Sequence, residues 1–387
     1  MYIEKPSVYI NYQHRIFGLD VIRTIAILLV LLSHSTLLLF PENNHISLTA
    51  IRFFGTIVVD LFFVLSGYLI GGLLLRQIRN GKTAFKNFMY FWIRRWFRTL
   101  PNYILILAFN VLLYYILYHL VIDDIGYFIV FLQNFATPHP DFFTEAWSLS
   151  VEEYAYIIGP LILYILLLFR KNNSKEKLYI VMVFIIILAI TYFRIRYHNN
   201  HGLESFETWS HSIRKVVIYR IDSIYYGFIG AYVAVNYTSI WQNYKKRFFN
   251  IGMLIFIVTH TFIFAYDAKP NDFPLFYNIF YLPLISISLL LFFPVFSNWK
   301  TGNFLKKQIT STSILSYGIY LINYSLILLT IQYFIDVESV PVFMKLILLL
   351  VYWVVTFYVS YLLYRYFEKP MTDLRDSKWI KEKFNKT

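Results

Sequence analysis

The chain contains no cysteine, which excludes disulfides and thiolate-bound metals and leaves the redox compartment unreadable. Charge is scarce as well. Only 15% of the 387 residues are Asp, Glu, Lys or Arg, against about 25% in a soluble globular domain. No GxxxxGK[ST], GxGxxG or GxSxG motif occurs, so phosphate-loop and nucleophile-elbow chemistry finds no support. No Pro/Gly/Ser-rich linker and no fixed-period repeat divides the chain. One membrane domain is therefore expected over 17–370, with a cytoplasmic segment at 1–16 and a basic cytoplasmic tail at 371–387.

What fills the sequence instead is apolar. Hydrophobic residues make up 58% and aromatics 21%, and the apolar stretches recur at the roughly 17–25 residues that a spanning helix needs. Ten runs stand out, at about 17–39, 51–75, 101–119, 150–169, 178–196, 219–236, 248–266, 277–296, 314–335 and 343–366. The stretch 125–135 is apolar but too short to span, and reads as a re-entrant or interfacial piece. The first run is too long for a signal-peptide core and carries Asp20, Arg23 and His34, so it reads as a retained helix.

The cations test this map. With the N-terminus inside, the inner segments hold Lys5 and Arg15, seven cations from Arg76 to Arg98, Arg170 to Lys177, Lys245 to Arg247, Lys300 to Lys307, and the basic tail. The outer segments hold fewer, and 120–150 holds no Lys or Arg. That asymmetry is the positive-inside pattern, and it needs an even number of crossings. The fold expected is an all-α, polytopic transmembrane helical bundle of about ten spans with both termini cytoplasmic. The net charge of +13 is thereby assigned to topology and membrane lipid, with no nucleic acid partner expected.

Ionisable side chains inside a span cost about 2.5–3.5 kcal/mol each on insertion scales, so each needs a reason. Arg23 and His34 lie 11 residues apart, about 20° apart around the helix and about 16 Å along it. Arg23 reads either as a snorkelling cation paired with Asp20 or as a ligand group. His34 reads either as an interhelical hydrogen-bonding residue or as a general base. Asp60 stands in the second run at a similar depth, either in a structural ion pair or orienting the imidazole. Ser66 and Gly67 permit close helix approach.

Arg95 and Arg98 occupy an inner loop before Pro101. They serve either topology and anionic lipid or, as an i,i+3 pair, a phosphate clamp. Trp147-Ser148-Leu149-Ser150-Val151-Glu152-Glu153 opens the fourth run. Its serines and glutamates fit a capping box, or else Glu152 faces an acceptor at the outer mouth. Arg220 and Asp222 are a plain ion pair or a substrate-facing pair. His198, His201 and His211 sit near Glu204 and Glu207 without ligand spacing, so no metal is expected.

Together, these motifs resemble the integral-membrane acyltransferase family 3. Gly18-Leu19-Asp20 with Arg23 and His34 matches its opening. The similarity continues through Asp60 to Ile70, Arg95-x-x-Arg98, Trp147 to Glu153, Arg220-Ile221-Asp222, Ser316 to Leu321 and Glu368-Lys369-Pro370. Two departures are clear: Asn323 stands where many members have histidine, and Ser325 where proline is frequent. Residues 154–155 also differ from the usual Gln-Phe before Tyr156.

The resemblance implies transfer of an acyl group, usually acetyl, from cytoplasmic acyl-CoA (acetyl-CoA or another acyl-CoA as donor substrate). The acceptor is a hydroxyl of a cell-surface glycan or lipid-linked sugar, at a bacterial inner membrane. It implies functional roles for His34 and Arg23 and for the Arg95–Arg98 pair; the reading of the residues themselves makes His34 and Arg23 catalytic, with Asp60 and Glu152 assisting. Donor binding falls to Arg23, Arg95 and Arg98, and substrate binding to Trp147, Ser148, Arg220 and Asp222. The rival class is a polytopic carrier or flippase for a glycan or anionic solute. This sequence holds no fused esterase-like domain, so a relay within the chain is not expected.

Overall fold

The computed structural model describes residues 15–43, 45–169, 174–202 and 204–377. Lys5, Arg170, Lys171 and most of the tail lie outside the described residues. Among the described residues the chain is helical throughout, with no strand.

The elements follow in order as α1 (Phe17–Leu39), α2 (Ile46–Arg79), α3 (Phe85–Tyr118), α4 (Ile125–Ile129), α5 (Ala146–Phe169) and α6 (Lys175–Asn200). Then come α7 (Phe206–Trp209), α8 (Asp222–Asn236), α9 (Thr238–Asn243), α10 (Lys245–Ala265), α11 (Leu282–Leu290) and α12 (Phe293–Asn298). The last are α13 (Lys306–Ile322), α14 (Leu329–Phe334), α15 (Val342–Leu363) and α16 (Lys369–Arg375). A π-helical turn at Asn323–Leu328 joins α13 to α14. Among the described residues nine helical stretches are long and apolar enough to cross a membrane. The chain is a multi-pass membrane protein.

The expected sixth span departs from its prediction. It is α8, 15 residues long and about 22 Å at 1.5 Å per residue, short of the roughly 30 Å hydrocarbon core. The preceding segment makes up the difference by dipping into the bundle, where Trp209, Ile213 and Val217 are buried. Its irregular backbone is satisfied by protein: the Val217 and Ile218 amides donate to the carbonyls of Asn134 and Phe135 at 3.0 and 3.1 Å. Non-helical backbone is tolerated at membrane depth on that condition.

α8 still completes a crossing. Arg79, ending α2, donates to Glu176 at the start of α6 (2.6 Å) and to Asn236 at the end of α8 (2.5 Å). Those three ends therefore share a side. α1 begins on that side too, since Arg52 at the start of α2 reaches back to the Thr36 carbonyl at the end of α1 (3.2 Å). With α8 counted as a short pass the chain crosses ten times, and α16 returns to pack on the first half of α3. We call the side where α1 begins the near side.

Close packing sets the centre. A Cβ on Gly67 would collide with the Ile224 carbonyl, and one on Gly227 with the Val64 carbonyl. These two glycines therefore let α2 and α8 touch backbone to backbone, the small-residue packing that membrane helices use. The expected inner loop carrying Arg95 and Arg98 is also corrected. α3 runs as helix from Phe85 straight through Pro101, which puts both arginines on a helix, Arg95 half-buried and Arg98 exposed.

Candidate active site

The near half of the bundle encloses a cavity of about 300 Å³. α1 contributes Arg23, α2 contributes Ser66 and Arg76, and α3 contributes Arg95, Arg98 and Thr99. Ser148 and Glu152 of α5, with Tyr317 and Tyr320 of α13, complete its polar wall. Four arginines thus converge on one space, although their sequence positions span 76 residues of three helices.

Their environments differ. Arg95 donates to Glu152 (3.3 Å) and to the Tyr156 hydroxyl (2.9 Å), with its guanidinium 4.2 Å from the Tyr156 ring centroid. Tyr156 in turn bonds Ser66. Arg23 lies 3.9 Å from Asp20, whose carboxylate is chiefly held by Arg15 (2.9 Å) and by Ser313 (2.8 Å). The expected pairing of Arg23 with Asp20 is thus present, with Asp20 shared between two arginines. Arg76 and Arg98 are exposed at the near-side mouth, and among the described residues neither has a carboxylate within ion-pair distance.

His34 does not line this cavity. It is half-buried against Tyr324, with ring centroids 5.0 Å apart. Its Nδ1 bonds the amide oxygen of Asn323. The orientation of that amide is fixed, since Asn323 Nδ2 donates to the carbonyls of Ile319 (2.8 Å) and Tyr320 (2.9 Å). Oδ1 must then accept, so Nδ1 carries the proton and Nε2 keeps its lone pair. No hydrogen bond reaches Nε2 among the described residues. Tyr320 lines the cavity and lies one turn from Asn323, linking the two regions.

Several expectations need correction here. Asp60 does not orient His34. It pairs with Arg220 inside the bundle, and Asp222 pairs with Arg194 at 2.6 Å rather than with Arg220. All four side chains are buried and none lines the cavity, so Arg220 and Asp222 are not a substrate-facing pair in this structure. Trp147 is sealed between Phe63, edge-on at 5.8 Å, and the Arg214 guanidinium at 4.9 Å. Ser148, by contrast, reaches the cavity and shares a 2.7 Å hydrogen bond with Tyr320.

Glu152 faces inward as expected but meets Arg95, not an outer mouth. The capping-box reading also fails, because α5 already begins at Ala146 and both serines lie within it. Sequence reasoning missed Tyr156, Tyr320 and Glu145 as partners, and had treated Asn323 only as a departure. Their signal, polar atoms in apolar runs, was present but not specific.

Outside the spans, the far-side segment holds Lys215, whose ammonium is pushed down to about 8 by burial and by neighbouring Arg214. The histidines near it serve separate contacts. His201 stacks on Tyr197 at 3.9 Å, and Glu204 accepts from the Tyr197 hydroxyl at 2.5 Å. No group of three metal-ligating side chains converges among the described residues.

Fold and site together define a membrane-embedded helical bundle with an internal arginine-lined chamber and a tautomer-locked histidine. A family model described as "Acyltransferase domain" matches residues 16–365, nearly the whole chain. The chain belongs to this integral-membrane acyltransferase family.

The Staphylococcus aureus (strain COL) protein named "Putative O-acetyltransferase SACOL0978" is 28% identical over 382 residues, covering 91% of this chain and 56% of that protein. "Peptidoglycan O-acetyltransferase OatA" of Listeria monocytogenes is 34% identical over 137 residues, 30% of this chain and 21% of that protein. "Putative peptidoglycan O-acetyltransferase YrhL" of Bacillus subtilis is 32% identical over 187 residues, 43% of this chain and 27% of that protein. The chain spans about half the length of the curated relatives it matches along most of its own length. No solved structure matches it.

Proposed function

We propose that this domain transfers an acyl group, acetyl by analogy with the relatives' names, from cytoplasmic acyl-CoA to a hydroxyl of a cell-surface glycan or lipid-linked sugar. The observation that carries this reading is the convergence of Arg23, Arg76, Arg95 and Arg98 on one cavity, whose lining residue Tyr320 accepts from the same Asn323 amide that holds His34. Guanidinium forks suit phosphate oxygens, and coenzyme A carries several. The near side is taken as cytoplasmic, because the basic clusters gather there. The relatives' printed names support a glycan acceptor, peptidoglycan among them.

The chemistry assigned to the chain is compact. Arg98 and Arg76 receive donor phosphates at the mouth, with Arg23 deeper. The donor's thioester arm passes Ser148 and Tyr320 and presents its carbonyl carbon near His34. The His34 Nε2 lone pair removes the proton from the acceptor hydroxyl as that oxygen attacks the carbonyl carbon. The tetrahedral adduct collapses, the C–S bond breaks, and the imidazolium returns its proton to the departing thiolate. An ester and a free thiol result. Asn323 holds Nδ1–H throughout, doing with a neutral amide what a carboxylate does in a catalytic triad.

The test uses membranes of cells making this protein, radiolabelled acetyl-CoA and isolated cell-surface glycan. Label should pass to sugar with the parent chain and not with His34→Gln. Undiminished transfer by that variant overturns the mechanism. Sugar that crosses the membrane without gaining label selects the carrier instead.

A further inference from the structure

Four buried or half-buried carboxylates of the bundle each have an arginine. Asp20 has Arg15, Asp60 has Arg220, Asp222 has Arg194 and Glu152 has Arg95. Among the described residues Glu153, which accepts from Thr99 at 2.8 Å, and Glu368, which accepts from Asn102 at 2.9 Å, have none within ion-pair distance, and neither has Glu145, just before α5. It is 5% exposed, and a carboxyl taken out of water without a counter-ion is costly unless hydrogen bonds hold it. Both bonds to its Oε1 come from one residue, the Ser325 amide at 3.1 Å and the Ser325 hydroxyl at 2.6 Å. Its Oε2 is buried with no partner.

Ser325 is two residues after Asn323, inside the π-helical turn Asn323–Leu328. Its amide donates to Glu145 from within that turn. The same turn presents the Asn323 oxygen to His34, and the Glu145 backbone carbonyl accepts from Ser148 and Tyr320, both at 3.3 Å. One residue thus ties the far end of the cavity to the turn that locks the imidazole. Isolated π turns in membrane helices recur where backbone geometry is bent to a functional purpose.

The geometry points to Glu145 as a positioning residue for His34: by clamping Ser325 it fixes the π turn, and so the amide oxygen that sets the His34 tautomer. The two departures of this sequence, Asn323 and Ser325, then form one device. A proline at 325 has neither the amide hydrogen nor the hydroxyl that Glu145 takes. The inference rests on the proposed role of His34 as base, and its test separates the two.

The full-length protein in detergent is labelled with ¹⁵N-histidine, and the His34 signals are assigned by their loss in His34→Gln. In the parent chain His34 should be a single tautomer, protonated at Nδ1. In Glu145→Leu and in Ser325→Ala the same signals should show mixed tautomers. kcat for acyl transfer should fall about tenfold or more in Glu145→Leu, the scale of a misplaced catalytic group, with the donor KM unchanged. Glu145→Gln keeps an acceptor oxygen and should stay within about threefold of the parent, since the two Ser325 bonds survive.

Unaltered His34 signals in both Glu145→Leu and Ser325→Ala overturn the proposal, whatever the activity. Lost activity with unaltered signals would mean that Glu145 acts otherwise than through His34. If Glu145→Leu fails to fold, Ser325→Ala alone decides by the same signals. A parent chain that transfers nothing removes the proposed function, and the tautomer measurement still stands.

Discussion

Two groups of arginines share this bundle and behave oppositely. Arg194 and Arg220 are fully buried at the junction of α2, α6 and α8, each against an aspartate. Arg76 and Arg98 open to the near-side cavity with no carboxylate at ion-pair distance among the described residues. In a buried ion pair each charge answers the other's desolvation, and removing one partner strands the other. A cation left unpaired at the rim of a chamber has its donors free for something that arrives. The difference separates a structural clamp from a ligand site, although the side chains are chemically the same.

Breaking the clamp should have the largest effect. Asp60→Ala strands Arg220 without its partner and should cost roughly 3–5 kcal/mol, read as a lowered thermal transition in detergent. The double change Asp60→Leu with Arg220→Met should recover most of it, because removing both charges removes the penalty. A transition unmoved by Asp60→Ala would show that the pair holds nothing. Gly67→Ala drives a methyl into the Ile224 carbonyl and should destabilise by about 1–3 kcal/mol, the usual cost of overpacking. Equal stability of that variant would mean that α2 and α8 can separate freely.

The cavity group should respond in the opposite sense. Arg98→Ala should leave the thermal transition alone and weaken coenzyme A binding by roughly 1.5–3 kcal/mol, the worth of a charge-assisted hydrogen bond. Calorimetric titration measures it, and unchanged affinity would remove Arg98 from the donor site. The smallest effect is expected for Arg76→Ala at the mouth, about 0.2–1 kcal/mol, because an exposed charge is screened. That loss should shrink further as salt rises. A salt-independent deficit would place Arg76 in the desolvated part of the site.

Much of the architecture was legible in the residues. Nine of the ten apolar runs are helices that meet the length of a crossing. The face shared by Arg23 and His34 followed from their spacing, since helical periodicity is local. The sixth span was misjudged for a reason that is not local: α8 can be short because the segment before it finds backbone partners in the loop at Asn134 and Phe135. Likewise the cluster of polar residues at 94–100 resembled a loop, yet Tyr156 and Glu152 on another helix give a half-buried Arg95 its partners.

Residue pattern alone determined that this chain must cross a membrane repeatedly, how its helices face, and which ionisable groups needed explaining. Those conclusions rest on period and on transfer free energy, both properties of a short stretch of chain. Only the tertiary structure decided who answers whom. Asp60 meets Arg220 across 160 positions, and His34 meets Asn323 across 289. Hydrogen bonds and ion pairs act over a few ångströms, so partners are chosen by how helices pack, which no single segment encodes.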